Sequence, residues 1–468
     1  MAESNVKTNN RWVLFLASIA SFMVALDTLV VSTSLSRIRL DLGASIEGLE
    51  WTVNAYSLCF AVFLLTAAAL GDRFGRRRLF AAGIGVFTVA SAACALSESL
   101  GWLIAFRAVQ GIGAALIMPL SVALLSAAFP PERRAKVLGV FSGVTGLAVL
   151  AGPVVGGAVA EGLAWQWIFW LNVPIGLLII LPVWSRIGES FGTNTALDIR
   201  GLLLATGGAL GLVWGLIRSN SAGWNSLEVL STLAVGILLT ILFVNWELGT
   251  REPMLPMRLF RSRAFLIGNA ANFLLNTSLV SALFFLAQYL QIALGYGPLD
   301  AGLRMLPWTA TLFFVAPVAG NLVNRIGERP LIVFGLLLQS LGMMWIGLIA
   351  DPGTAYVKFI APLIVAGFGV SMVQPTSMSA VVGSVAPSEV GKASGAFNML
   401  RQLGGVFGIA IIATVFTANG NYSSAQSFNA GFAPAISISS ALSMAGALVA
   451  IGLPRRRKVP INHEREKA

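Results

Sequence analysis

Fourteen apolar stretches, most of them about twenty residues long, follow one another with little between them. They run over residues 12–35, 51–70, 79–97, 102–128, 136–160, 167–185, 200–217, 229–247, 264–293, 302–324, 330–350, 357–380, 393–417 and 432–453. No water-soluble fold could bury them all. The chain is 56% hydrophobic and 11% charged, whereas soluble domains carry about 25% charged residues. The solvent this sequence is written for is lipid. A helix rising 1.5 Å per residue crosses the hydrocarbon layer in about twenty residues, so the prediction is an all-α integral membrane protein with fourteen transmembrane helices.

Charge placement sets the expected orientation. With the N-terminus inside, 24 of the 31 Lys and Arg residues fall in inner segments, 5 in outer ones, and Arg107 and Arg401 within spans. That bias matches the excess of cytoplasmic positive charge in membrane proteins and predicts both termini in the cytoplasm of a bacterial inner (plasma) membrane protein. The net charge of +11 is thereby accounted for without a nucleic-acid partner. Cys59 and Cys94 lie in apolar runs and the lone His463 in the polar tail, so there is no disulfide framework, metal spacing or Ser/His/Asp arrangement. No enzymatic activity, metal or cofactor is expected. The first apolar run lacks a small-residue cleavage site and reads as a retained span.

The chain repeats itself. GIGAALIMP at 111–119 matches GFGVSMVQP at 367–375, and Lys136-Val-Leu-Gly139 matches Lys392-Ala-Ser-Gly395, both 256 residues apart. Leu70-Gly-Asp72-Arg73-Phe-Gly75 matches Leu322-Val-Asn324-Arg325-Ile-Gly327 at a separation of 252. Two parallel six-helix bundles with two inserted spans follow: a cytoplasmic N-terminus at 1–11, one bundle at 12–185, an insertion with its linkers at 186–263, a second bundle at 264–453 and a basic tail at 454–468, read as lying against the anionic inner leaflet. Parallel halves place a binding site near the midplane, with rocking as the motion.

These motifs resemble the major facilitator superfamily, and within it the fourteen-span drug:proton antiporters. Four segments carry the resemblance. The loop between the second and third spans, Asp72, Arg73, Gly75, Arg76 and Arg77, is similar to the superfamily's gate loop, which implies a cytoplasmic latch between the halves; Ala68 stands where a Gly is usual. Arg107-Ala-Val-Gln110-Gly111-Ile-Gly113 resembles the family's fourth-span motif. Gly152, Pro153, Gly156 and Gly157 resemble the antiporter motif of exporters, with Ala148 in place of a Gly. Leu26-Asp27-Thr-Leu-Val30-Val31 resembles the first-span motif, with Leu29 replacing Thr. Trp165-Gln166-Trp167 through Asn172 and Asp198-x-x-Gly201 also fit the fourteen-span group.

Proton exchange needs an acid that is charged in one state and neutral in another. Asp27 is the one carboxylate this reading places well inside a span, about 12 Å from the outer end of the first run. Arg107 falls at a similar depth, about 8 Å, and an Arg within a span is expensive enough to suggest function. Burial disfavours a charged carboxyl and a nearby Arg favours it; Asp27 is therefore expected to carry the proton and Arg107 to tune it. A purely structural pair is the alternative. Asn398, Arg401, Gln402 and Gly405 form one polar stripe, and Tyr56, Asn276, Tyr289, Trp308, Met372 and Gln374 are candidate cavity residues.

The reading that follows is a secondary transporter, working as a monomer, that exports drugs or other lipophilic or cationic small molecules in exchange for protons by alternating access. A narrow-specificity metabolite exporter of the same fold, and a non-transporting membrane sensor, are the alternatives.

Overall fold

The computed structural model describes residues 10–192, 197–386 and 389–454. The expectations placed on residues 1–9 and on the tail from Arg455 to Ala468, His463 included, lie outside the described residues. Everything regular in the described residues is helical: α1 (Asn10–Leu42), α2 (Ile46–Phe74), α3 (Arg76–Ala95), α4 (Leu100–Ala128), α5 (Pro131–Gly162), α6 (Trp167–Trp170), α7 (Asn172–Arg186), α8 (Ile199–Ala222), α9 (Leu227–Gly249), a 3-10 turn at Met257–Arg261, α10 (Arg263–Ile292), α11 (Pro298–Arg304), α12 (Leu306–Thr309), α13 (Thr311–Ile326), α14 (Glu328–Ile349), α15 (Val357–Val382), α16 (Val390–Asn419) and α17 (Ala425–Ala450). Counting α6–α7 and α11–α13 as single interrupted crossings, fourteen segments among the described residues are long and apolar enough to span a membrane.

Local chemistry marks the ends. Ser45, Ser226, Ser262 and Ser424 each accept a backbone N–H from the first turn of the helix they open, and Asp198 does the same for α8; such caps satisfy donors that the helix cannot. Two junctions require glycine. Gly75 (φ +107°) separates α2 from α3, and Gly327 (φ +84°) separates α13 from α14. They are equivalent positions of the sequence repeat, and both chain reversals use a backbone region that side chains rarely adopt.

Helices α1–α7 pack mainly among themselves: α1 against α4, α5 and α7, and α4 against α2 and α3. Helix α10 packs against α15, α16 and α17, and α14 against α15 and α17. The pair α8–α9 forms a hairpin whose first helix touches both α2 and α16. The face on which α1 begins is called the near face below, and the opposite one the far face. At the far face the two bundles lock. A Cβ on Gly157 would collide with the Pro298 carbonyl, one on Gly302 with the Pro153 carbonyl, Gln291 donates to the Thr33 carbonyl at 3.0 Å, and the Leu299 N–H donates to Glu161 at 2.9 Å. Toward the near face, α5 stands away from its neighbours: a Cβ at Gly139, Gly143 or Gly146 would meet no described atom within 4 Å. The near-face ends of α2 and α16 remain in contact, with Gly395 against Leu65. The bundles are therefore parted along α5 on the near side and closed on the far side.

Candidate functional site: a caged carboxylate in the first bundle

Helix α1 is longer than its apolar run, so Asp27 lies near its middle, about 22 Å of helical rise from the far-face end at Leu42 rather than the 12 Å read from the sequence. The residue is 2% exposed. An ionised carboxylate survives there only if donors surround it, and they do. Arg107 Nη1 lies 2.5 Å from Asp27 Oδ2. Gln110 Nε2 and Asn172 Nδ2 donate to Oδ1 at 2.8 and 2.9 Å.

The donors are themselves held. Arg107 also donates to Gln110 Oε1 (2.7 Å) and to the Thr52 carbonyl (3.2 Å). Its guanidinium sits over the rings of Tyr56 (4.2 Å) and Phe169 (5.6 Å), a favourable place for a desolvated cation. Gln110 Nε2 donates further to Ser91 Oγ at 2.7 Å. Helices α1, α2, α3, α4, α6 and α7 all contribute, so a change of charge at one carboxyl is felt by most of the bundle.

Glycines let these helices close in. A Cβ on Gly111 would strike the Tyr56 carbonyl, and one on Gly113 would come within 2.7 Å of Phe87 N. Gly152 and Gly156 do the same between α5 and α1, where side chains would run into Leu29, Thr33 and the Val30 carbonyl. The Gly152-Pro153-x-x-Gly156-Gly157 segment thus touches α1 with one edge and α11 with another, at the joint between the bundles.

The loop of Asp72, Arg73, Gly75, Arg76 and Arg77 lies at the near face. Arg76 pairs with Asp72 (2.7 Å). The Arg77 and Arg78 backbone N–H groups donate to Glu189 (2.9 and 3.3 Å), and the Gly192 N–H donates to the Asp72 carbonyl (3.0 Å). Among the described residues its ion pairs beyond the loop run to Glu189, in the linker that follows α7, and not to the second bundle. The resemblance implied a latch between halves; here the loop clamps the first bundle to its own outgoing strap.

The remaining candidates scatter. Tyr56 belongs to the cage, beneath the Arg107 guanidinium; Trp308 is buried in a packed core, and Asn276 donates to the Asn272 carbonyl within α10. Tyr289 stacks on Phe432, with ring centroids 4.1 Å apart. Met372, Gln374, Asn398, Arg401 and Gln402 are half-buried. The sequence reading missed Asn172 as a partner of Asp27 and Ser91 as the acceptor that holds Gln110 and Asn172; a lone amide within the apolar run 167–185 was the available signal for Asn172. It also missed Glu50, which lies inside α2, wholly buried, and Glu247 of α9, buried against the Leu255 N–H (2.9 Å).

Fourteen crossings in two joined bundles, with a charge pair caged between helices, define a multi-pass membrane transporter. The chain belongs to the Major Facilitator Superfamily, whose model matches residues 17–409. It is 34% identical over 412 residues to the tetracenomycin C resistance and export protein of Streptomyces glaucescens, covering 87% of this chain and 76% of that one. It is 34% identical over 417 residues to a cephamycin export protein of Amycolatopsis lactamdurans (86% and 84% covered), and 32% identical over 407 residues to the multidrug resistance protein Stp of Mycobacterium tuberculosis (86% and 75%). The fold is similar to that of a POT family transporter crystallised with 5-aminolevulinic acid (TM-score 0.71, 15% identity, 94% of each chain) and of a D-xylose-proton symporter (TM-score 0.67, 16% identity, 94% and 97%). It transports small molecules and is not an enzyme.

Proposed function

We propose that this transporter exports drug-like small molecules in exchange for protons, with Asp27 as the proton carrier. The single observation behind this reading is the carboxylate buried at mid-helix within a shell of donors. A buried pair contributes little net stability, so its presence on α1, the helix that also carries the Gly152 and Gly156 contacts of α5, favours a switching role. The names of the relatives, resistance and export proteins, support the direction of transport.

The mechanism follows from the geometry. Ionised, Asp27 accepts from Arg107, Gln110 and Asn172 and draws α1, α4 and α7 together. A proton on the carboxyl removes its charge and one of its acceptor sites, so Arg107 loses its counter-ion and falls back on Gln110, the Thr52 carbonyl and the Tyr56 ring. Helix α1 also forms the wall for Gly152 and Gly156 of α5, so loosening it loosens the joint with α11. The halves at 12–185 and 264–453 then rock about the closed far side, with 186–263 as an insertion. In this arrangement the parted near side is cytoplasmic, both termini lie inside a bacterial inner membrane, and a monomer suffices. Arg107 tunes the acid; the Asp72–Arg77 loop acts as the gate element; Gln374, Asn398, Arg401 and Gln402 face the substrate path.

The test uses protein reconstituted in vesicles with an imposed pH gradient and an internal pH dye, challenged with lipophilic cations and antibiotics. Substrate-dependent proton flux that disappears in Asp27→Asn is expected. Full proton-coupled flux in folded Asp27→Asn would refute Asp27 as carrier. Flux elicited by a single metabolite alone would favour a narrow exporter.

A further inference from the structure

A second buried acid lies outside the Asp27 cage. Glu50 is 0% exposed, one turn into α2 from the far face, and neither of its carboxyl oxygens has a hydrogen-bond partner. It lines a cavity of about 500 Å³ together with Arg39, Glu47, Ser221, Asn421 and Tyr422, within the ~300–1,000 Å³ range of small-molecule sites. The cavity is built by both bundles and by the α8–α9 hairpin.

The charges around it are unequal in their commitments. Glu47 is paired with Arg218 at 3.4 Å, and Arg218 also holds Glu228 at 2.9 Å. Arg39 stacks over the Tyr422 ring at 4.4 Å and is half-exposed. The Tyr422 hydroxyl donates to Gln288. Burial pushes that hydroxyl far above the ordinary tyrosine range, so it stays neutral. The one charge that is both desolvated and unpaired is that of Glu50. A buried carboxylate without donors is unstable; it must take a proton or a cation.

We propose that this far-face cavity is a binding site for organic cations, with the Glu50 carboxylate as their counter-charge. Empty, the carboxyl holds a proton. Occupied, it gives that proton to water and pairs with the ligand's positive group, while the apolar flanks of Ala44, Ile46 and the Tyr422 ring take up the ligand's body. The proposal rests on the export reading and deepens it: cation and proton compete for one acid on the exit side, distinct from Asp27.

The full chain in nanodiscs, titrated with ethidium (a permanent cation), provides the test, read by fluorescence in an acidic and a mildly alkaline buffer. In the unaltered chain, binding should be saturable and weaker in acid, with about one proton released per ethidium bound in weakly buffered solution. Glu50→Gln should lower affinity about tenfold or more and remove both the pH dependence and the proton release; Glu50→Asp should keep all three. Melting temperatures near that of the unaltered chain establish folding. No saturable binding by the unaltered chain, no proton release, or a folded Glu50→Gln whose affinity lies within about twofold and still falls in acid, would overturn the proposal. Asp27→Asn separates the two readings: loss of proton-coupled flux with ethidium binding at Glu50 retained is expected. Unimpaired flux there would refute Asp27 as carrier while leaving the Glu50 site standing.

Discussion

Replacing Arg107 by Met removes the charge that Asp27 faces at 2.5 Å and leaves that carboxyl with two neutral amides, Gln110 and Asn172. Both partners are 1% exposed, so water cannot substitute. Removing one member of a buried pair costs about 3–5 kcal/mol. Asp27→Asn leaves the complementary defect, an Arg that cannot deprotonate, but one that keeps Gln110 Oε1, the Thr52 carbonyl and the Tyr56 ring; its cost should fall at or below the lower end of that range. The double variant Asp27→Asn/Arg107→Met buries no net charge, so the two defects should cancel in part, with a coupling of about 2–3 kcal/mol in a double-mutant cycle. Unfolding by SDS in mixed micelles measures all four proteins. The double variant should be more stable than the sum of the singles predicts, yet inactive in proton exchange. Additivity within about 0.5 kcal/mol would mean the pair is not energetically coupled, and the caged-carboxylate argument would fail.

Three further outcomes follow from the geometry. Asn172→Ala removes the 2.9 Å donor to Asp27 and should lower stability by about 1 kcal/mol, measured in the same micelle assay; no loss would mean that this hydrogen bond contributes nothing. Gly75→Ala forces a side chain into a backbone at φ +107° and within 2.8 Å of the Glu189 carboxyl, so a loss of about 1–2 kcal/mol is expected, with Gly101→Ala, which meets open space, as the neutral control. Gly157→Leu drives a side chain into the Pro298 carbonyl and should open the far-face joint at an overpacking cost of about 1–3 kcal/mol; a cysteine introduced at Thr33 should then react faster with a membrane-impermeant thiol reagent added from that side. An unchanged labelling rate would show that the α5–α11 contact does not seal the far face.

Much was legible in the amino-acid sequence because lipid imposes a simple rule: each crossing must hide its backbone in a helix and present apolar side chains for its whole length. That rule alone yields fourteen spans, and the internal repeat pairs the loops at Gly75 and Gly327, both of which adopt positive φ. Arg107 and Gln110 could be paired from their spacing of three on one helix. Depth and company were different matters. Asp27 moved to mid-helix because α1 continues beyond its apolar run to Leu42. Asn172, 145 positions away, reaches the same carboxylate only because α7 packs against both α1 and α3. The basic loop clamps onto Glu189, which no local pattern relates to Gly75. Glu50 falls one residue before the apolar run 51–70, yet the cap at Ser45 extends α2 outward and the Asn421–Ser423 loop lines the same cavity. Hydropathy reports the environment along one helix; whether a polar side chain meets a donor, a ring or an empty cavity depends on neighbours a hundred residues away, and only tertiary packing decides that.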